Sequence, residues 1–253
     1  MSGSLTVVGL GPGDAALLTD SARRALDAAE DIVGYFPYVA CVPERPGLTR
    51  HASDNRVEVD RARHALQLAA SGRRVAVVSG GDPGVFAMAA AVFEAVEHGE
   101  PGWRDLAIVV EPGITAMLAA AARLGAPLGG DFCALSLSDN LKPWPVVTAR
   151  LEAVLRADLV VALYNPISSA RPWQLGAALD IAAGIRAPET PVMFARAISR
   201  PDEAIRVASL AQARDVPADM ATMVILGAST TRLIPRDGRP PFVYTARKVE
   251  GAA

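Results

Sequence analysis

The sequence predicts an α/β protein of two domains, each organised around a mostly parallel sheet. Three observations carry that reading. Short, β-branched apolar runs of buried-strand type recur from residues 5–10 to residues 222–226. Stretches of helical period stand between most of them, the alternation that builds parallel sheets. A turn marked by glycine or proline follows one strand after another, at Gly9 to Asp14, Gly80 to Gly84, Gly113 to Ala116, Asn165-Pro166 and Gly227 to Ser229. Open α/β sheets bind ligands at such places, outside the carboxyl ends of their strands.

In order, residues 5–10 form a strand that runs into Gly9-Leu10-Gly11-Pro12-Gly13-Asp14, with Asp14 placed as the cap of a helix over 17–29. Residues 31–34 are the next strand, left through Tyr35-Phe36-Pro37-Tyr38, aromatics that either line a pocket or cap a core. Residues 42–59 read as an exposed loop with a short strand, and 60–71 as a helix with Ala62, Ala65, Leu66 and Ala69 on one face. The strand 74–79 opens into Gly80-Gly81-Asp82-Pro83-Gly84 before a helix over 87–97. A third buried strand, 106–110, leads through Pro112 and Gly113 to an alanine-rich helix over 116–124. The glycine-rich stretch 125–130 is a hinge by composition, which sets the domains at 1–127 and 128–253. The second half restarts with a strand at 132–137, a polar loop through Asp139 and Lys142, a helix over 146–156 and a strand at 159–163. A helix over 173–184 and a strand at 191–195 carrying Arg196 at its end follow. Residues 204–210 are mixed, strand by propensity or else the start of a helix, residues 222–226 are the last buried strand, and the proline- and arginine-rich tail from Pro235 is ordered only by contact.

The bulk properties limit the function. The 253 residues suffice for a large core. Hydrophobic and charged contents of 51% and 21% are those of a globular protein, and a net charge of −2 argues against nucleic acid as a partner. No apolar run reaches the ~18 residues of a membrane span. Residues 1–4 carry no basic region, so no signal peptide is expected. Two cysteines, Cys41 and Cys133, are too few for a disulfide framework and fit a cytoplasmic location. His51, His64 and His98 lack ligand spacing, so no metal site is expected. All but Lys142 and Lys248 of the 25 basic residues are arginine. Arginine grips carboxylates bidentately, although an alanine- and arginine-rich composition yields the same bias.

The first turn departs from the dinucleotide fingerprint. Its third glycine comes one residue early, Pro12 has no N–H for a pyrophosphate, and the expected acid falls near Glu30 or Asp31, before Ile32-Val33 and not at the end of that strand. Asp82 suits a ribose hydroxyl or an amine, or else an Asx-turn that closes its own loop. Thr115 offers a hydroxyl or backbone N–H, or else a plain helix cap.

Taken together the turns resemble those of the tetrapyrrole methylases that use S-adenosylmethionine, marked by G-x-G-P-G-D, G-G-D-P and P-G-x-T/S-A in that order. Here they stand as Gly9 to Asp14, Gly80 to Pro83 and Pro112 to Ala116. Gly34-Tyr35, the segment from Gly125 to Trp144, Leu163 to Pro166 and Thr222 to Gly227 resemble the precorrin-3B C17-methyltransferases, the ring-contracting branch of that family. Gly130 departs from an expected histidine, and Ala197 and Ala228 from expected asparagines. The resemblance implies two α/β domains with the active site in the cleft between them, a homodimer, and transient hand-over of product to neighbouring pathway enzymes. It implies methylation of C17 of a precorrin with ring contraction, including removal of a hydroxyl proton. The donor is expected against Pro12, Gly80, Gly81, Asp82, Val85, Thr115, Ala116, Asn165, Met223 and Gly227. Asp82, Asp139 and Arg196 are the candidates for acid, base or substrate contact. Arg196 leads Arg50 and Arg56 as partner for the macrocycle's carboxylates. A metal-free and a cobalt-bearing substrate fit equally. The competing readings are a family member acting at another carbon, a nicotinamide oxidoreductase and a non-catalytic carrier.

Overall fold

The structure is a computed structural model that describes residues 3–54 and 57–248. It packs as two units, Met1–Ala116 and Met117–Ala253. Residues 117–127, which the hinge at 125–130 would leave with the first domain, are grouped with the second. Gly125–Ala126 adds a two-residue strand there, and Arg123 pairs with Glu203 at 3.2 Å.

The first unit holds the strands β1 (Ser4–Gly9), β2 (Asp31–Tyr35), β3 (Thr49–Ser53), β4 (Arg74–Ser79) and β5 (Ala107–Glu111). All are parallel, in the order β3-β2-β4-β1-β5. Their apolar runs are continuous because both faces are covered. Leu5, Val7, Val33, Val75 and Val77 pack on one side with Ala62, Leu66 and Val92 of the helices α3 (Glu58–Ala70) and α4 (Met88–His98). The alternate residues Val8, Ile32, Ala76 and Val78 pack on the other side with Ala22 and Leu26 of α1 (Asp20–Ala28) and with Val39 of α2 (Phe36–Ala40). The single helix expected over 17–29 is two pieces. Asp14 caps a 3-10 turn at Ala15–Leu17, and Thr19 restarts the chain by accepting from Ala22 N at 3.2 Å. Between β4 and β5 lies β1, so the turns after all three strands meet at one end of the sheet.

The second unit begins with most of α5 (Ala116–Leu124) and β6 (Gly125–Ala126). Its main sheet contains β7 (Phe132–Ser136), β8 (Val160–Tyr164), β9 (Pro191–Arg196), β10 (Ala204–Ser209) and β11 (Thr222–Leu226), ordered β10-β9-β11-β8-β7. The expectation of mostly parallel sheets in both halves is corrected here. Only β7 and β8 pair parallel, and the other three pairings are antiparallel. Parallel neighbours need a crossover of a dozen or more residues, commonly helical. The link from β9 to β10 is too short for that, and β11, which runs the same way as β10, inserts between β9 and β8 and against both. Helices α6 (Trp144–Arg156) and α7 (Gln174–Ala183) bury Leu151, Leu155, Leu175 and Leu179 against Val161, Phe194 and Val224. The tail is also corrected. It forms a hairpin of β12 (Thr231–Arg236) and β13 (Arg239–Thr245), turned at Gly238 and joined to β6. Pro240 and Pro241 are tolerated because β6 pairs β13 only at Val243 and Tyr244.

Candidate active site

In the first unit the three turns interlock through their backbones. Gly11 N donates to Gly81 O at 3.1 Å and Gly81 N to Gly11 O at 2.8 Å, an isolated antiparallel bridge between the turns after β1 and β4. Both glycines lie at positive φ, +71° and +64°, which a side chain would strain. Asp82 ties the second turn to the third. Its Oδ1 accepts from Gly84 N at 2.8 Å and its Oδ2 from Gly113 N at 3.1 Å. Gly9 and Gly113 are glycine because the turns touch: a Cβ on Gly113 would fall 2.1 Å from the Gly81 carbonyl oxygen. Tyr38, edge-on to Tyr35 with ring centroids 5.7 Å apart, packs so closely on Gly80 that a Cβ there would lie 2.7 Å from its ring. Pro12, Gly80, Gly81, Asp82, Val85 and Thr115 therefore gather at the carboxyl ends of β1, β4 and β5, with Ala116 next to Thr115 in the chain.

In the second unit the carboxyl ends of β7 and β8 and the amino end of β11 coincide, since Val224 pairs with Leu163. Asn165 stands at the β8 end at φ +52°, its Nδ2 donating to Ser136 Oγ at 2.9 Å. Met223 is buried one residue inside β11. Tyr164 Oη accepts from Met117 N at 3.4 Å. Around them lie Asp139, Arg171 and Gln174, with Trp144 and Trp173 edge to face at 4.9 Å.

A family profile described as tetrapyrrole (corrin/porphyrin) methylases matches residues 4–214, and so spans all these turns up to β10. The chain belongs to the tetrapyrrole methylases. Over all 253 residues and the whole of the relative, the methylase is 55% identical to a precorrin-3B C(17)-methyltransferase from Sinorhizobium sp. The crystal structure of the methyltransferase CobJ superposes with a TM-score of 0.90 at 53% identity, covering 97% of this chain and all of that one. A uroporphyrin-III C-methyl transferase from Thermus thermophilus, complexed with S-adenyl homocysteine, gives a TM-score of 0.68 at 26% identity over 89% of this chain and 97% of that one.

Several expected site residues of the methylase lie apart from these turns or are already paired. Gly227 follows β11, which runs against β8, so it lies about 17 Å (five residues at ~3.3 Å) from the Asn165 end. There its N–H donates to Pro191 O at 2.9 Å, and the adjoining Ser229 N donates at 2.9 Å to Asp158, two residues before β8 starts. Arg196 is already engaged as well. Nη1 bonds Asp202 at 2.8 Å and Nε bonds Asp219 at 2.7 Å. The Asp202 and Asp219 hydrogen bonds push its guanidinium further above the ordinary arginine range, and the side chain stays 42% exposed. Arg50 is paired with Glu44 at 2.9 Å, and Arg56 lies outside the described residues. Asp82 holds a backbone N–H group at each oxygen and so clasps the second turn to the third. Asp139 keeps its carboxylate partly open, 29% exposed.

Sequence reasoning missed Ser136, Tyr164, Arg171 and Gln174. The signal available was a polar pair, Arg171 and Gln174, close behind a buried strand and at the start of an apolar helix. Among the described residues no group of three or more histidine, cysteine, aspartate or glutamate side chains is placed to hold a metal, and no helix is long and apolar enough to cross a membrane.

Proposed function

We propose that this methylase transfers a methyl group from S-adenosylmethionine to C17 of precorrin-3B, with ring contraction to precorrin-4, in cobalamin biosynthesis. The observation that carries the reading is end-to-end identity of 55% with the Sinorhizobium precorrin-3B C(17)-methyltransferase. In the first unit Pro12, Gly80, Gly81, Val85, Thr115 and Ala116 are the donor contacts, with Asp82 fixing the turns. In the second, Asn165 and Met223 are the candidates.

The first unit suits such a group. It offers backbone N–H and C=O groups with few side chains, and the nearest atom to a Cβ on Gly81 is 3.6 Å away. The sulfonium supplies an already activated methyl group. The chain's own contribution is alignment, on the order of several kcal/mol from holding two reactants together, and a water-poor setting that favours loss of the positive charge. A homodimer, a cytoplasmic location and transient hand-over of product belong to the same proposal.

The test is incubation of the purified chain with precorrin-3B and S-adenosylmethionine, read by mass spectrometry and NMR. One added methyl at C17 with a contracted ring is expected. A methyl at another carbon would move the chain to another branch of the family. Tight NADH binding without donor consumption would revive the oxidoreductase reading.

A further inference from the structure

Gln174 is 1% exposed at the start of α7, and its carboxamide is only half used. Nε2 donates to Asp139 Oδ2 at 3.3 Å, whereas Oε1 has no hydrogen-bond partner. Buried acceptors are almost always satisfied, so the orphaned Oε1 calls for a donor. Arg171, also buried, sets Nε 3.9 Å from Asp139 Oδ1 and donates from Nη1 to the Asn165 carbonyl at 3.3 Å. Asp139 thus accepts a hydrogen bond at Oδ2 and faces the Arg171 guanidinium at Oδ1, and its side chain stays 29% exposed.

Asp139 can itself supply the donor that Oε1 lacks. As a carboxylate it only accepts; as an acid it carries one O–H. Edge to edge, a carboxamide and a carboxylic acid exchange two hydrogen bonds, N–H to one carboxyl oxygen and O–H to the amide oxygen. We propose that Asp139 is the proton acceptor of this enzyme and that Gln174 is its positioning residue, the buried Oε1 receiving the hydrogen bond once the proton has arrived. This rests on the methyltransferase reading above. The step is a proton transfer: a substrate hydroxyl O–H bond breaks, its electron pair stays on the substrate oxygen, and Asp139 gains the O–H. The proton later leaves to solvent from the exposed edge. The O–H toward Oε1 sits on Oδ1, the oxygen that Arg171 Nε faces at 3.9 Å, too far for a hydrogen bond that would occupy its lone pair.

The unaltered chain is assayed first for methyl transfer to precorrin-3B. If it transfers none, the function reading fails and this inference falls with it. With activity in hand, Gln174→Met keeps the side-chain length and removes both hydrogen-bonding atoms. It is expected to lower kcat for the ring-contracted product about 10-fold or more with KM within about threefold. Asp139→Asn is expected to lose about 100-fold or more, the usual range for a proton-transfer group. The double variant is expected to be no slower than Asp139→Asn alone, because Gln174 acts through Asp139. Additive losses, or wild-type turnover by Asp139→Asn, overturn the proposal while leaving the methyltransferase reading intact. If Gln174→Met does not fold, Asp139→Asn, on the partly exposed rim, still decides.

Discussion

At the scale of single residues, the glycines of the three turns do two different jobs. Gly11 and Gly81 supply positive φ, and Gly9 and Gly113 supply room for one backbone against another. Gly113→Ala would press a methyl group onto the Gly81 carbonyl from 2.1 Å, against backbone that cannot swing aside. It is expected to destabilise the chain by about 2 kcal/mol or more, the upper part of the range for overpacking. Gly102→Ala, with nothing within 4 Å of the new carbon, is expected to stay within about 0.5 kcal/mol. Urea unfolding of the two variants checks this, and equal midpoints would remove the packing argument. Ala197 shows the reverse case. It stands in the left-handed region at φ +47°, where asparagine is more at ease, and that is one of the places where the resemblance calls for asparagine.

At the scale of elements, one strand direction decides the fate of several residues. Because β11 runs against β8 and β9, its amino end joins the carboxyl ends of β7, β8 and β9. Met223 is kept near Asn165 by that reversal, and Gly227 is taken away. At the same end Arg196 closes β9 against Asp202 and Asp219, a three-residue ion network about half exposed to solvent. Exposed pairs contribute about 0–1 kcal/mol. Arg196→Ala is therefore expected to change the unfolding free energy by no more than about 1 kcal/mol and to leave KM for the tetrapyrrole unchanged. A KM raised tenfold would restore Arg196 as a substrate contact.

At the scale of the whole molecule, a buried carboxylate contributes to acid stability. Asp31 starts β2 at 2% exposure. Arg73 Nε donates to its Oδ2 at 2.6 Å, His51 Nε2 lies 2.9 Å from its Oδ1, and His64 meets His51 at 3.1 Å. Burial pushes the carboxyl up, but hydrogen bonds and charge from Arg73 and His51 outweigh it and leave Asp31 below the ordinary carboxylate range. A group that titrates lower when folded stabilises the fold above its unfolded value, near pH 4 for aspartate. That contribution is lost as pH falls through the folded value. Asp31→Asn is expected to lower Tm at pH 7 and to flatten the fall of Tm between about pH 5 and pH 2, followed by circular dichroism. Acid limbs that run parallel in the two proteins would show that Asp31 does not link folding to pH. His51 and His64 are 13 positions apart in sequence, and their meeting depends on β3 lying beside α3.

The sequence by itself determined the strand–turn–helix alternation, the buried strands and the three glycine turns of the first unit. Those signals are local: hydrophobic period, glycine where the backbone bends, a cap where a helix begins. It also determined the family, because the turns keep a fixed order along the chain. Only the tertiary structure decided which way β11 runs, that the proline-rich tail closes into a hairpin, and that Arg196 is held by Asp202 and Asp219. It alone brought Gln174 and Arg171 to Asp139 across more than thirty positions of chain. An apolar run records that a strand is buried, but not the direction of the strand beside it. Charged side chains record even less, since their partners are set by where the sheet ends meet.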